Sequence, residues 1–240
     1  MAVQSAQTAV LIDCGFGPRE LARRLARLGI DAAQIDAILV THEHSDHIGG
    51  AAACSRRFGI PLYMTHGTRE AGIPRETGVE VRIIDSHTAF AIGDLAVQPF
   101  PVPHDAREPA QFTVTAGQRC LGMLTDIGAA TPHVIDRLMR CDALVLECNH
   151  DAAMLASGSY PYPLKQRIAG RFGHLENGAA AQLLAQLDTG RLQHVVAAHL
   201  SEHNNTPALA ASALSAVLNR DPSWIGIADQ ERGSEWRTIC

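Results

Sequence analysis

The chain is short of several things at once. Lysine is nearly absent: Lys165 stands alone among 20 basic residues, and all the others are arginine. Aromatic residues fill only 5% of the 240 positions, so the core is expected to be aliphatic and rich in alanine. No apolar run approaches the length of a membrane span, and residues 1–9 lack the basic start and long apolar stretch of a secretory leader. The six cysteines include no CxxC pair, which speaks for reduced thiols in a cytoplasmic setting and against a disulfide framework. No Pro/Ser-rich linker, charge block or fixed-period repeat divides the sequence, so one domain spanning 1–240 is expected. The formal net charge of −5 excludes a general nucleic-acid coat protein, though not a nuclease with a local basic groove.

What is present is concentrated in one stretch, Thr41-His42-Glu43-His44-Ser45-Asp46-His47. It follows the apolar run Ile38-Leu39-Val40, which reads as a buried strand, and precedes a Gly-Gly-Ala segment that reads as a helix start. Imidazole and carboxylate crowded into such a turn cost free energy unless something binds them. A divalent transition metal suits both donor types. His42 and His44 alternate as an extended segment does and can face one point, while Asp46 and His47 lie past the turn and can face a second.

The rest of the chain reads as strands with helices interposed, and strand after strand ends in a ligand-type residue: Asp13, His42, His104, Asp126, His150 and His199. Packing gives no reason for that, whereas loops converging on one rim with metal as their destination do. A helix opens at Pro18 with Leu21, Leu25 and Leu28 on its apolar face and Gly29 at its end. Gly93-Asp94 marks a turn within residues 90–102. Residues 160–167 read as a polar connection carrying Tyr160 and Tyr162, and Lys165, Arg167 and Arg171 form one compact basic segment there. Tyrosines beside phosphate-binding cations suit a single-stranded nucleic-acid end. His66, His87, His133, His194 and His203 carry no assigned role.

HxHxDH after a hydrophobic strand resembles the signature of the metallo-β-lactamase superfamily. That resemblance implies an α/β fold, a four-layer αββα sandwich with a binuclear metal site at the sheet edge. It implies that His42, His44 and His104 bind one divalent ion and Asp46, His47 and His199 a second. Asp126 bridges them, and Asp13 and His150 lie behind the ligands. The ions are expected to be zinc, with manganese as the other choice. Asp126 stands where lactam-hydrolysing members often carry cysteine, which disfavours β-lactamase activity.

Four further segments, Glu147 to Asp151, Tyr160 to Ile168, Gly173 to Asn177, and Ala198 to Asn205, resemble in order the YycJ/WalJ group, regarded as DNA exonucleases acting from the 5′ end. The group usually has a strand and a Ser/Gly-Asn-rich turn where this sequence has only residues 1–7, so a shortened N-terminal strand is expected. The resemblance implies attack of a metal-bridging hydroxide on phosphorus, with Asp46 and His174 in catalytic roles and Lys165, Arg167, Arg171 and Asn205 meeting substrate. A single-stranded DNA end is then the partner, a membrane is not, and a homo-oligomer stays open. The alternatives are a small-molecule, cyclic-phosphate phosphodiesterase, a glyoxalase-II-like thioester or lactone hydrolase, and a metal-stabilised binding module.

Overall fold

The computed structural model describes residues 1–74 and 77–240. The chain forms two compact units, Met1–Pro101 with Ala106–Gly117, and Val102–Asp105 with Gln118–Cys240.

In the first unit β1 (Ala2–Gln4), β2 (Ala9–Ile12), β3 (Ala37–Leu39), β4 (Leu62–Thr65) and β5 (Val81–Ile84) hydrogen-bond in that order. β1 runs antiparallel to β2, and the pairs from β2 to β5 are parallel. β2, β3 and β4 are buried along their whole length, as expected of parallel strands whose sequences are continuous apolar runs rather than alternating ones. β6 (Phe90–Ile92), β7 (Leu95–Pro101) and β8 (Ala110–Ala116) form an antiparallel meander whose first turn is Gly93-Asp94, with Gly93 at φ 54°.

The helices of this unit are α1 (Pro18–Arg27), α2 (Ser45–Ile48), α3 (Ala51–Phe58) and α4 (His66–Gly72). α1 starts on Pro18, whose missing N–H is unused in a first turn, and buries Leu21 and Leu25. These two leucines join Leu11, Ile38, Leu62 and Met64 in one aliphatic core. At roughly 1.5–3 kcal/mol for each large side chain buried, that core is the main force holding the sheet edge rigid.

The second unit carries β9 (Arg119–Leu124), β10 (Ala143–Glu147), β11 (His194–Ala198) and β12 (Gly226–Ile227), all parallel and in that order. Its helices are α5 (Pro132–Leu138), α6 (Ala152–Ser157), α7 (Tyr162–Ile168), α8 (Asn177–Leu184) and α9 (Pro207–Leu218). Thr131, Asp151, Glu176 and Thr206 cap α5, α6, α8 and α9 by accepting from backbone N–H groups, which satisfies donors a helix start leaves open.

Within each unit the parallel strands run in one direction, so each sheet has its own edge of C-terminal strand ends, the edge at which open α/β sheets carry their sites. Three elements depart from the sequence expectation: α4 and α6 are additional, and the connection read over 160–167 contains α7, while β1 is a short strand within residues 1–7. Pro163 falls in the first turn of α7, where proline is tolerated, so it does not break the helix there.

Candidate metal centre

In the first unit the motif is anchored to the end of β2. Cys14 N–H donates to the His47 carbonyl at 2.7 Å, and Gly50 N–H donates to the Cys14 carbonyl at 2.9 Å. A Cβ at Gly15 would stand 2.0 Å from the Asp46 carbonyl oxygen, so only glycine lets the two backbones approach this closely.

Asp13 sits in the left-handed region at φ 62°. Its Oδ1 accepts from Thr41 N–H at 2.8 Å, and its Oδ2 accepts from His47 Nδ1 at 2.8 Å. A carboxylate only accepts, so His47 carries its proton on Nδ1 and leaves the Nε2 lone pair for a ligand. His47 Nε2 lies 3.3 Å from Asp46 Oδ2. His42 Nδ1 lies 2.9 Å from Thr41 Oγ1, and His42 Nε2 is 2.9 Å from His44 Nδ1. The His42 ring also lies 4.1 Å, centroid to centroid, from that of His47 and 4.5 Å from that of His44, so the three imidazoles of the motif form one cluster.

In the second unit the organising residue is one to which sequence reasoning gave no role. Glu147, the last residue of β10, is fully buried. Its Oε1 accepts from His174 Nδ1 at 2.9 Å and from His199 Nδ1 at 2.8 Å. Its Oε2 accepts from Ile127 N–H at 3.0 Å and Leu175 N–H at 3.2 Å. Burial alone would push this carboxylate up, but the two imidazole hydrogen bonds outweigh it and hold it well below the usual glutamate range. The carboxylate therefore sets the tautomer of both rings and leaves Nε2 as the working atom of each. Although Glu147 lies among donors close enough to share an ion, its lone pairs are committed to those four bonds, so it orients ligands rather than serving as one. The signal available in the sequence was a glutamate closing an otherwise apolar strand.

Asp126, at φ 54°, and His199, at φ 57°, follow β9 and β11. Asp126 Oδ1 is 3.6 Å from His199 Nδ1, 3.7 Å from His174 Nδ1 and 3.8 Å from His104 Nε2. His104 Nδ1 donates to the Gly173 carbonyl at 3.1 Å. Burial pushes His104 below the ordinary imidazole range, with the charge of Asp126 opposing. Neutral imidazole nitrogen and carboxylate oxygen, backed by Asp13 and Glu147, are the donor chemistry and the carboxylate–histidine backing that a zinc or manganese ion requires. The residues present fit such an ion.

His150 is buried with Nδ1 3.2 Å from Asn149 Oδ1, and burial pushes its ring down, against the charge of Glu176. It lines a cavity of about 500 Å³ together with His174 and Lys165. Lys165 Nζ donates to the Ala156 carbonyl at 2.7 Å.

One expectation about substrate contact, that for Asn205, needs correction. Arg167 is bound to Asp105 at 2.6 Å, and that hydrogen bond pushes its guanidinium further up, so the compact basic segment is partly neutralised. Arg171 is exposed. Asn205 is buried in a reciprocal amide pair with Asn177, with both bonds at 2.9 Å. Its remaining capacity goes to the Cys148 carbonyl and Thr206 N–H, so it is a core residue and offers no group to a substrate.

Residues 8–199 match the family described as the beta-lactamase superfamily domain. The chain is 33% identical to exodeoxyribonuclease YycJ of Bacillus anthracis, over 91% of this chain and 84% of that protein. It is 29% identical to exodeoxyribonuclease WalJ of Streptococcus pneumoniae, over 94% and 86% respectively. The crystal structure of the metallo-β-lactamase fold protein YhfI from Bacillus subtilis superposes with a TM-score of 0.73 at 18% identity, over 98% of this chain and 89% of that one. The chain belongs to the beta-lactamase superfamily as a hydrolase of the metallo-β-lactamase fold, with YycJ and WalJ among its relatives.

Proposed function

We propose that the protein is a binuclear metal-dependent phosphodiesterase that removes nucleotides from a DNA strand, working from the 5′ end. The observation that carries this proposal is the single buried carboxylate of Glu147 fixing Nδ1 of both His174 and His199. That arrangement prepares one ring to bind a cation and the other to handle a proton. His42, His44 and His104 would hold one divalent ion, Asp46, His47 and His199 a second, and Asp126 would serve both. This grouping follows the order in which the family places these residues along the chain. Two such ions supply Lewis acidity and a nucleophile at neutral pH.

His174, held at Nδ1 by Glu147, turns its Nε2 outward as the atom that takes up and gives back a proton. From there it can offset charge on a phosphoryl oxygen or protonate the departing sugar oxygen. A thioester or lactone hydrolase has no use for a histidine positioned in this way. The names of the two relatives, both exodeoxyribonucleases, support a nucleic-acid end as substrate. The Arg167–Asp105 pair favours the second choice, a small cyclic phosphodiester, because it removes a cation from the basic stretch.

The test is to reconstitute the protein with zinc or manganese and offer 5′-phosphorylated single-stranded DNA, RNA and a small cyclic phosphodiester in parallel. Elemental analysis should find about two metals per chain, and mononucleotides should be released fastest from the DNA. Turnover of the cyclic diester alone would transfer the assignment to the second choice. No more than one metal after reconstitution would refute the binuclear centre.

A further inference from the structure

The cavity of about 500 Å³ in the second unit lies among α6, α7 and α8. Its size falls within the range of about 300–1,000 Å³ that buries one small ligand. Its walls are mostly apolar, supplied by alanines, Leu155 and Tyr162, with a few polar groups among them. Two of these groups discriminate between occupants. Glu176 spends its carboxylate on Gly178 N–H at 2.8 Å and Ala179 N–H at 3.0 Å, so the wall at the start of α8 carries an anion that repels phosphate and accepts from an amine. Lys165 is the single lysine of the chain and lines the same cavity. Tyr162 is 72% exposed although it lines this cavity, a poor position for a tyrosine with only a structural role and a good one for stacking. His174 is shared between the cavity and the Glu147 arrangement.

The geometry points to this cavity as the seat of the terminal nucleoside of a nucleic-acid strand. The base stacks on Tyr162 with its polar edge toward Glu176, Lys165 receives the terminal phosphate, and His174 meets the phosphodiester that follows. A pocket that holds one end nucleoside makes cleavage start from an end, which deepens the proposed nuclease function and rests on it. Base–aromatic stacking supplies binding without sequence preference, and a single lysine supplies a point charge for the phosphate.

The test uses full-length, metal-loaded protein and a 5′-phosphorylated tetranucleotide with phosphorothioate linkages and a 3′ fluorophore. Binding is read by anisotropy. The variants are Ala156→Phe and Ala152→Phe, which push an aromatic ring into the cavity from solvent-facing positions on α6. Each should weaken binding about 10-fold, the scale of one stacked base. Replacing the first nucleotide by an abasic one should cost wild type the same amount and cost the filled variants nothing further. The filled variants should keep the metal content of wild type, read by elemental analysis, so that weakened binding reports on the cavity and not on loss of the metal centre. Equal binding of abasic and intact ends by wild type overturns the proposal, as does unweakened binding by both filled variants. An effect confined to Phe172→Ala, which removes an aromatic 55% exposed and outside this cavity, also overturns it and moves base contact to the surface. Wild type that hydrolyses neither linear DNA nor RNA overturns the nuclease function itself, a separate and distinguishable result.

Discussion

Replacing Glu147 by glutamine removes one charge and almost no volume from the centre of the second unit. The native carboxylate accepts four hydrogen bonds, from His174, His199, Ile127 and Leu175. An amide has one accepting oxygen and an NH2 that only donates. If the oxygen stays on the two backbone N–H groups, the NH2 faces Nδ1 of both rings. Both histidines must then move their proton to Nε2, and His199 loses the lone pair expected to hold a cation. The opposite flip points the NH2 at two buried backbone N–H groups, at about 1–3 kcal/mol for each. The first arrangement is therefore the less costly.

We expect Glu147→Gln to fold, with the metal-free protein destabilised by about 1–3 kcal/mol and metal bound roughly 10–100-fold more weakly. Chelator competition measures the affinity, and urea denaturation of the metal-free protein measures the stability. A folded Glu147→Gln with native metal affinity and turnover would refute the claim that this carboxylate sets the tautomers. Glu147→Ala is the harsher variant. It leaves two N–H groups and two imidazoles without their acceptor in a fully buried site, a loss on the order of 3–6 kcal/mol, comparable with the whole stability of many domains.

Gly15→Ala should lower stability by about 1–3 kcal/mol and weaken metal binding, because the new Cβ falls 2.0 Å from the Asp46 carbonyl oxygen; an unchanged melting temperature would contradict this. Asp126→Ala should release metal and abolish turnover, whereas Asp13→Ala, acting through His47, should cost roughly 10–100-fold in affinity; equal losses in the two would show their roles to be misassigned. His174→Ala should retain both metals and lose roughly 10²–10⁴-fold in turnover, with metal content and kcat measured on the same sample. Lys165→Ala should flatten the salt dependence of oligonucleotide binding by about one phosphate contact. Arg167→Ala should change that slope less, since Asp105 already neutralises the guanidinium.

How far the molecule can be read from its sequence depends on the range of the interactions involved. The Pro18 start, the Leu21 and Leu25 face and the Gly29 stop of α1 are local signals, and the helix lies where they place it. The motif after β3 is equally local, because four donor residues within six positions have few other uses. α4, α6 and α7 were less legible: at seven, six and seven residues, such helices are too short for propensity to hold and depend on tertiary packing. Glu147 was invisible for a different reason. Its partners His174 and His199 lie 27 and 52 residues away, and no local period links a strand-end glutamate to histidines so remote. The same distance hid the Asp105 partner of Arg167, 62 residues off, and the amide pair that places Asn205 in the core.

The backbone at the strand ends carries information that residue types alone do not. Among the described residues, Asp13, Asp126, His199 and Asn219 are the non-glycine positions with positive φ. Asn219 closes α9, a place where a left-handed residue is ordinary. The other three follow β2, β9 and β11, and none of them ends a helix. A left-handed conformation costs an L-residue roughly 1–2 kcal/mol, somewhat less for aspartate, and glycine would adopt it most easily. These positions nevertheless hold two carboxylates and an imidazole. The side chains that outweigh the backbone cost are those that touch His47 and Thr41, approach His104 and His174, or bond Glu147. A strand that turns left-handed on Asp or His therefore marks a position kept for its side chain, not for its turn. Reading that mark from sequence requires the strand end to within one residue, and strand boundaries are where local patterns are least sharp.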